Sequence, residues 1–213
     1  MSEPSELSDF RESARAWLSE NFPAALAGKS VGMEGESLAG LGDELRQWRQ
    51  SLADQGWGAP TWPQAYGGAG LTHPQVKVLN QEMEKVGAFN PIPMMAGMGV
   101  TMVGPTVLEY GTEEQKLKHL PGIASGEVRW CLGLSEPNAG SDLASLATKA
   151  EANGDQFVLN GQKRFIVGGE GADYFLVYAR TDPEAEAHKA ISCFIVDRSE
   201  GVKTEYLYGL MGC

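Results

Sequence analysis

The residue pattern changes at about Glu127, and this change constrains the fold more than any other feature of the sequence. Before it, apolar residues recur at helical spacing, and after it, short extended segments alternate with turn residues. Asn153-Gly154 and Asn160-Gly161 each lie between extended segments, and an Asn-Gly pair in that setting is a strong hairpin signal. We therefore predict an α+β chain, with a helical domain at residues 1–128 followed by an antiparallel, barrel-like β domain at residues 129–213.

Each domain has its own set of predicted elements. The helices are predicted at Ser5–Asn21 (with Ser5 or Ser8 as N-cap), Glu44–Gln55, His73–Val86, Met94–Tyr110 and Thr112–Leu120. A short apolar strand begins at Trp130, and further strands are predicted at Ala147–Ala152, Gln156–Leu159, Gln162–Val167, Tyr174–Tyr178, Ala190–Val196 and Thr204–Leu207. The chain ends directly after the last of these strands, so we expect the β domain to be incomplete.

Composition and charge restrict the class of function. A formal net charge of −11 disfavours nucleic acid and anionic membranes as partners. The charge-free stretch Gly87–Leu108 is interrupted by three prolines, so a buried helix is expected there rather than a membrane span. An acidic N-terminus unlike a targeting peptide and an odd number of cysteines (Cys131, Cys193, Cys213) favour a reducing, cytoplasmic location.

Most catalytic motifs are absent from the sequence. The histidines His73, His119 and His188 are isolated, there is no CxxC pair and no G-x-S-x-G motif, so neither a metal site nor a catalytic triad is predicted. Gly28-Lys29-Ser30 resembles the end of a phosphate-binding loop, but Pro23 stands where its first glycine is needed. That site is therefore rejected.

One segment has the pattern of an anion-binding turn. After Trp130 an apolar strand runs into Pro137-Asn138-Ala139-Gly140, and turns of small residues can direct several N–H groups at a pyrophosphate. The alternative interpretation is a plain corner between a strand and a loop. The residues alone leave both open.

Four segments together resemble the acyl-CoA dehydrogenase family, in its order and at about its spacing. They are Gly56–Leu71, Tyr110–Lys116, Trp130–Asp142 (WCLGLSEPNAGSD) and Asn160–Ile166 (NGQKRFI). The resemblance implies a helical domain, a middle β domain and a C-terminal four-helix domain, with FAD held between the last two. Only the first domain and most of the second have counterparts here, so a truncated chain is expected.

The resemblance assigns roles to residues around the strand that begins at Trp130. Leu132 and Leu134 would present backbone groups to the flavin ring, and Ser135 would offer a hydroxyl to its pyrimidine edge. Gly140 and Ser141 would lie by the FAD pyrophosphate, with Ser141 also near the CoA.

Two further groups of residues follow from the same resemblance. Phe165, Ile166 and Val167 would flank the other side of the flavin. The family lines its acyl tunnel with residues at the positions of three methionines that recur every four residues, and flexible, polarisable side chains would suit that role. The alternative is that they only pack in the hydrophobic core. They are Met94, Met98 and Met102.

Two departures from the family pattern bear on activity. Phe165-Ile166-Val167 stands where the family commonly has Trp-Ile-Thr, so the hydroxyl near flavin N5 is missing. The family's catalytic glutamate lies in the C-terminal domain, which places it beyond Cys213, and no acidic residue of this chain is nominated in its stead.

The resemblance implies a function with three versions. The first is α,β-dehydrogenation of an acyl-CoA, with electrons passed to an electron-transferring flavoprotein, by a homo-oligomer or heteromer. The second is oxidase or monooxygenase chemistry on the same fold. The third is a non-catalytic or partner-dependent subunit of a heteromeric dehydrogenase.

Overall fold

The structure is a computed structural model that describes residues 4–29, 42–199 and 201–209. The chain divides into two compact units between Glu127 and Val128. The first unit is helical and the second holds a β-sheet, which confirms the α+β class.

The first unit contains helices that largely agree with the sequence pattern. They are α1 (Ser5–Asn21), α2 (Gly42–Asp54), α3 (His73–Val86), α4 (Ile92–Met95), α5 (Gly104–Tyr110) and α6 (Glu113–Ala124). Both ends of α1 and α3 fall at the predicted residues. Among the described residues, no helix is both long and apolar enough to cross a bilayer.

Side-chain caps explain where α3 and α6 begin. Thr72 and Gln75 form a reciprocal capping box at the start of α3, and Thr112 and Gln115 form the same motif at α6. The predicted cap of α1 is wrong, because Pro4 occupies that position and no side chain caps the helix. The predicted end of α6 is also wrong, since the helix continues through Pro121 to Ala124.

The prediction of one continuous helix over Met94–Tyr110 is wrong. After the single turn of α4 the chain reaches Gly97, whose left-handed φ of +64° ends the helix. A π-helical turn at Gly99–Val103 then leads into α5. The segment forms three short helical pieces because glycines interrupt it, and the spacing of apolar residues, on which the prediction rested, takes no account of glycines.

Tryptophans fill the core of the first unit. Trp48 is fully buried, and its indole N–H donates to the Phe89 carbonyl at 2.8 Å. Trp17 lies against it with ring centroids 5.8 Å apart, and Phe22 packs edge-on at 4.9 Å. The loop after α2 is held by Trp57, which packs on Trp17.

A buried carboxylate joins α1 to α3. The Glu82 side chain is 1% exposed and accepts from Arg11 at 2.7 Å, Arg15 at 2.9 Å and Lys85 at 2.6 Å. The hydrogen bond and charge of Arg15, helped by Lys85 and Arg11, outweigh burial and lower the pKa of Glu82 to about 2.

We expect Gly58→Ala to lower the free energy of unfolding by about 3 kcal/mol. The added methyl group would overpack the site, because the backbone atoms that it meets cannot move away. A Cβ at Gly58 would clash with the Ala124 carbonyl oxygen and the Ile92 side chain. The matched control is Gly42→Ala, whose Cβ would meet only the end of the flexible Arg46 side chain, 3.3 Å away. Urea denaturation of both variants is the measurement, and equal stabilities would contradict the packing described for this loop.

The second unit is built around one mixed sheet. Its strands are β1 (Trp130–Gly133), β2 (Lys149–Asn153), β3 (Gln156–Asn160), β4 (Tyr174–Arg180) and β5 (Ile191–Asp197). The long strand β4 pairs parallel with β1 and β2 and antiparallel with β5, while β2 and β3 form an antiparallel hairpin. The sheet is therefore mixed, and the expectation of a purely antiparallel domain is corrected.

The two Asn-Gly signals have different outcomes. The first marks a real hairpin, although Asn153 still pairs with Gln156 and the turn residues are Gly154, with φ +66°, and Asp155. The second is wrong, because the described chain has no strand over Gln162–Val167. Gly161 instead passes so close to Thr148 that a Cβ would meet its hydroxyl.

The predicted strand at Thr204–Leu207 is also wrong. These residues are irregular and take no part in the sheet within the described chain. Tyr206 in this segment packs instead on Tyr208, with ring centroids 4.8 Å apart. Thr204 and Tyr206 favour a strand locally, but this segment pairs with none of the described strands.

Candidate functional site

The candidate site begins where β1 leaves the sheet. Leu132 lies in β1 opposite Leu176, and the chain then turns away at Leu134 and Ser135. A tight turn follows, in which the Glu136 N–H donates to the Ala139 carbonyl at 2.8 Å. An apolar strand thus runs into a tight turn, as both interpretations of this segment require, and anion binding at the turn stays a prediction.

The buried side chain of Glu136 anchors this turn. Its carboxylate is buried and accepts from the N–H groups of Ala147 at 2.6 Å and Thr148 at 3.0 Å, and from the Lys163 ammonium at 2.8 Å. Burial favours the neutral acid, but Lys163 and the backbone donors outweigh it and lower the pKa of Glu136 to about 2. The group is therefore an ionised anchor at neutral pH.

Lys163 and Arg164 connect this turn to a second segment of the chain. The Lys163 ammonium donates to the Leu134 carbonyl at 3.1 Å, and the Arg164 N–H donates to the Ser135 carbonyl at 2.8 Å. The structure thus brings Leu134 and Ser135 beside the segment that contains Phe165. Sequence reasoning assigned no role to either connecting residue, although both lie in the Asn160–Ile166 segment that resembles the family.

The segment that follows alternates between solvent and core. Phe165 has a left-handed φ of +59°, which is unusual for a residue other than glycine, and it is 64% exposed. Ile166 turns inward and packs on the cluster around Cys131, whereas Val167 is 68% exposed. Two apolar side chains are therefore held in solvent by the local backbone.

An arginine and a tyrosine extend this exposed apolar surface. The Arg164 guanidinium lies 4.8 Å from the centre of the Phe165 ring and 5.3 Å from that of Tyr208. The rings of Phe165 and Tyr208 are 5.2 Å apart. Sequence reasoning missed Arg164 and Tyr208, since a cation stacked on two rings has no local pattern.

Gly140 and Ser141 lie on the outer side of the turn. Both are exposed, and a Cβ at Gly140 would meet no atom of the described residues within 4 Å. Open backbone at a turn of small residues suits a phosphate, and exposed Phe165 and Val167 suit a flat aromatic ring. The described residues of this unit therefore fit FAD.

The three methionines lie in the first unit but not on one helix. Met94 is in α4, Met98 lies between α4 and the π-helical turn, and Met102 is inside that turn. Met94 and Met98 are half-buried and Met102 is exposed. Their four-residue spacing consequently does not place them in one helical row.

The remaining candidate groups show no catalytic arrangement within the described residues. No cluster of three or more His, Cys, Asp or Glu there could hold a metal ion. Burial raises the pKa of Cys131 to about 12, so it is a protonated core thiol. Burial also lowers the pKa of His119 in α6, which keeps that imidazole neutral. Cys213, together with Ser30 of the rejected phosphate loop, lies outside the described residues.

Comparison with known protein families gives matches over nearly the whole sequence. The model of the acyl-CoA dehydrogenase N-terminal domain matches residues 4–127, and that of the acyl-CoA dehydrogenase middle domain matches residues 131–213. The boundary between the two models coincides with the change of pattern near Glu127 and with the division of the structure.

Individual relatives agree with this result. Acyl-CoA dehydrogenase IpdE1 of Mycobacterium tuberculosis is 36% identical over 192 residues, which cover 90% of this chain and 49% of IpdE1. Acyl-CoA dehydrogenase FadE29 of the same organism is 42% identical over 139 residues, which cover 65% of this chain and 35% of FadE29. The chain thus spans about half, or less, of the length of these curated relatives.

Solved structures give the same picture. The Tcur3481-Tcur3483 steroid ACAD is 40% identical with a TM-score of 0.62, covering 92% of this chain and 48% of the other. The ChsE4-ChsE5 complex from Mycobacterium tuberculosis is 32% identical with a TM-score of 0.63, covering 92% of this chain and 48% of the other.

Proposed function

We propose that this chain, which belongs to the acyl-CoA dehydrogenase family, supplies the N-terminal and middle domains of an FAD-dependent dehydrogenase of acyl-CoA thioesters. One observation carries the proposal. The 2.8 Å hydrogen bond from Arg164 to Ser135 joins the two segments that the family resemblance assigns to the flavin. These segments are far apart in sequence, so their contact is a property of the fold.

The chain's own residues would bind and orient the cofactor. FAD, when bound, supplies the acceptor for the hydride that leaves the acyl β-carbon. The backbone groups of Leu132 and Leu134 and the hydroxyl of Ser135 would hold the ring edge. The exposed turn at Gly140 and Ser141 would hold the pyrophosphate through its N–H groups.

The remaining residues would shape the surroundings. Phe165 and Val167 would exclude water from one face of the ring, and Ile166 would fix that segment to the core. Met94, Met98 and Met102 would line the path of the acyl chain. None of the described carboxylates is proposed as the base that removes the α-proton, because the two that are buried, Glu82 and Glu136, are held by ion pairs.

The visible absorption spectrum of the purified chain tests this function. We expect flavin absorption, alone or after addition of FAD and a partner chain, that bleaches when a thioester is added anaerobically. Straight-chain, branched and steroid side-chain CoA thioesters form the panel, since relatives include an isovaleryl-CoA dehydrogenase and a steroid ACAD. A chain that never takes up FAD contradicts the proposal.

A second candidate is a partner-dependent subunit of a heteromeric dehydrogenase. The ChsE4-ChsE5 complex among the structural relatives favours it. In that case a second chain would supply the four-helix domain and the catalytic carboxylate. Co-purification of a helical partner that restores bleaching supports this version, whereas bleaching by the single chain excludes it.

The acceptor of the electrons and the location are further parts of the proposal. An electron-transferring flavoprotein would take the electrons. Oxygen consumption during turnover would instead indicate an oxidase, an alternative that rests on the missing hydroxyl at Val167.

A reducing compartment is supported by Cys131 and Cys193, which form no disulfide in the structure.

A further inference from the structure

We propose that Glu136 and Lys163 form a positioning pair, which fixes the Leu134–Ser135 segment against the Arg164–Val167 segment and so sets the affinity for FAD. This inference rests on the proposed function, because it concerns the same site. Neither residue is expected to touch the cofactor. Both act through the backbone of their neighbours.

The contacts of the pair reach both segments at once. The Lys163 ammonium bonds the Glu136 carboxylate at 2.8 Å and the Leu134 carbonyl at 3.1 Å, and the next residue, Arg164, bonds Ser135. The side chains of Lys163 and Glu136 are 13% and 6% exposed, so water cannot replace these bonds easily.

The carboxylate is saturated by its partners. One oxygen of Glu136 accepts from Thr148 and Lys163, and the other accepts from Ala147 at 2.6 Å. Glu136 therefore ties the turn at Glu136–Ala139 to the start of β2 and, through Lys163, to the segment that contains Arg164. Removing the ammonium frees the Leu134 carbonyl and leaves the carboxylate without its counter-ion.

The pair lies outside the strands that hold the sheet together. Glu136 and Lys163 belong to none of β1–β5, whose registers are set by their own backbone hydrogen bonds. Downstream, the bonds Gly169 to Ile166 and Gly171 to Gly168 are internal to the loop. The link between the two segments is thus expected to respond to the pair while the sheet remains intact.

The chain provides a matched control in its other unit. Lys85 is also an ammonium bonded to a buried carboxylate, Glu82, at 2.6 Å. Its unit contains none of the residues assigned to the cofactor. Lys85→Met therefore removes an ammonium from a buried carboxylate of the helical unit, where Arg11 and Arg15 still neutralise Glu82.

Two measurements on the full chain test the inference. The first is amide hydrogen exchange by NMR, which compares the protection of the Arg164 N–H, the donor to Ser135, with the protection of the β4 amides. The second is a titration with FAD, which gives the affinity. For Lys163→Met and for Glu136→Gln, we expect Arg164 protection and FAD affinity each to fall about 10-fold, with β4 protection unchanged. Lys85→Met should change neither the Arg164 protection nor the FAD affinity.

The outcomes separate this inference from the proposed function. Equal FAD affinity of wild type and Lys163→Met overturns the inference and leaves the function intact. Equal loss of protection at Arg164 and in β4 also overturns it, because the pair would then only stabilise the fold. If wild type binds no FAD, the proposed function fails, and the exchange at Arg164 alone decides whether the pair positions the two segments.

Discussion

Replacing Gly140 with aspartate is expected to weaken FAD binding about 100-fold while the free energy of unfolding changes by less than about 0.5 kcal/mol. The position is exposed, and in the part of the chain that the structure describes no atom lies within 4 Å of a Cβ there, so the fold accommodates the side chain. The new carboxylate would stand where the proposed function places the pyrophosphate, and like charges repel. Fluorescence titration with FAD and urea denaturation measure the two effects.

The control for this variant is Gly201→Asp. Gly201 is an exposed glycine of the same unit, and a Cβ there would meet only the Ser199 hydroxyl at 3.7 Å. It adds the same charge to the same chain, so any general effect of a more acidic protein appears in both variants. Equal FAD affinity of Gly140→Asp and Gly201→Asp would contradict the placement of the pyrophosphate.

Glu82→Gln is expected to lower the free energy of unfolding by about 3 kcal/mol. Three cations, Arg11, Arg15 and Lys85, surround this buried carboxylate, and the neutral amide leaves them without a counter-charge between α1 and α3. The cost lies at the lower end for a broken buried pair, because Arg15 and Lys85 are about half exposed and can be solvated. Urea denaturation of the two proteins is the measurement.

An exposed ion pair provides the comparison. Asp43 bonds Arg46 at 3.3 Å within α2, and both side chains are largely exposed. Asp43→Asn removes one negative charge from the same unit, and we expect a change of less than about 1 kcal/mol. If Asp43→Asn and Glu82→Gln cost the same, burial of Glu82 has no energetic consequence.

The effect of Glu82 depends on pH in a defined direction. Its pKa is lowered from 4.5 to about 2, so the folded state binds this proton more weakly than the unfolded state. Its stabilisation is complete above the unfolded pKa and is lost as the pH falls from about 4.5 to about 2. The stability difference between wild type and Glu82→Gln should therefore shrink over that range, and a constant difference would contradict the lowered pKa.

Local patterns predicted the helices better than the sheet. The apolar periodicity of α1 and α3 and the cap at Thr112 depend on residues that are close in sequence. The break in the helix at Gly97 was not predicted, because apolar residues continue at helical spacing on both sides of it. The parallel pairing of β1 with β4 joins residues about forty positions apart, and no local pattern encodes such a partner.

The candidate site shows the same limit. Gln162–Val167 ends in three residues that favour strands and follows an Asn-Gly pair, yet it forms tertiary bonds from Lys163 to Leu134 and from Arg164 to Ser135 in place of a strand. The family resemblance supplied the residues assigned to FAD, whereas the ion pair of Glu136 with Lys163 became visible only in the fold. Both residues lie in segments that resemble the family, but their contact joins positions 27 apart, and no local pattern encodes it.

The most direct test of the account is an NMR titration of the isotope-labelled chain with FAD. At about 1 mM FAD even binding as weak as about −4 kcal/mol is detected, so the measurement does not depend on a partner chain. We predict that shifted amide signals concentrate in residues 132–141 and 164–167. Unchanged signals in these residues, or shifts confined to the helical unit, would contradict the account.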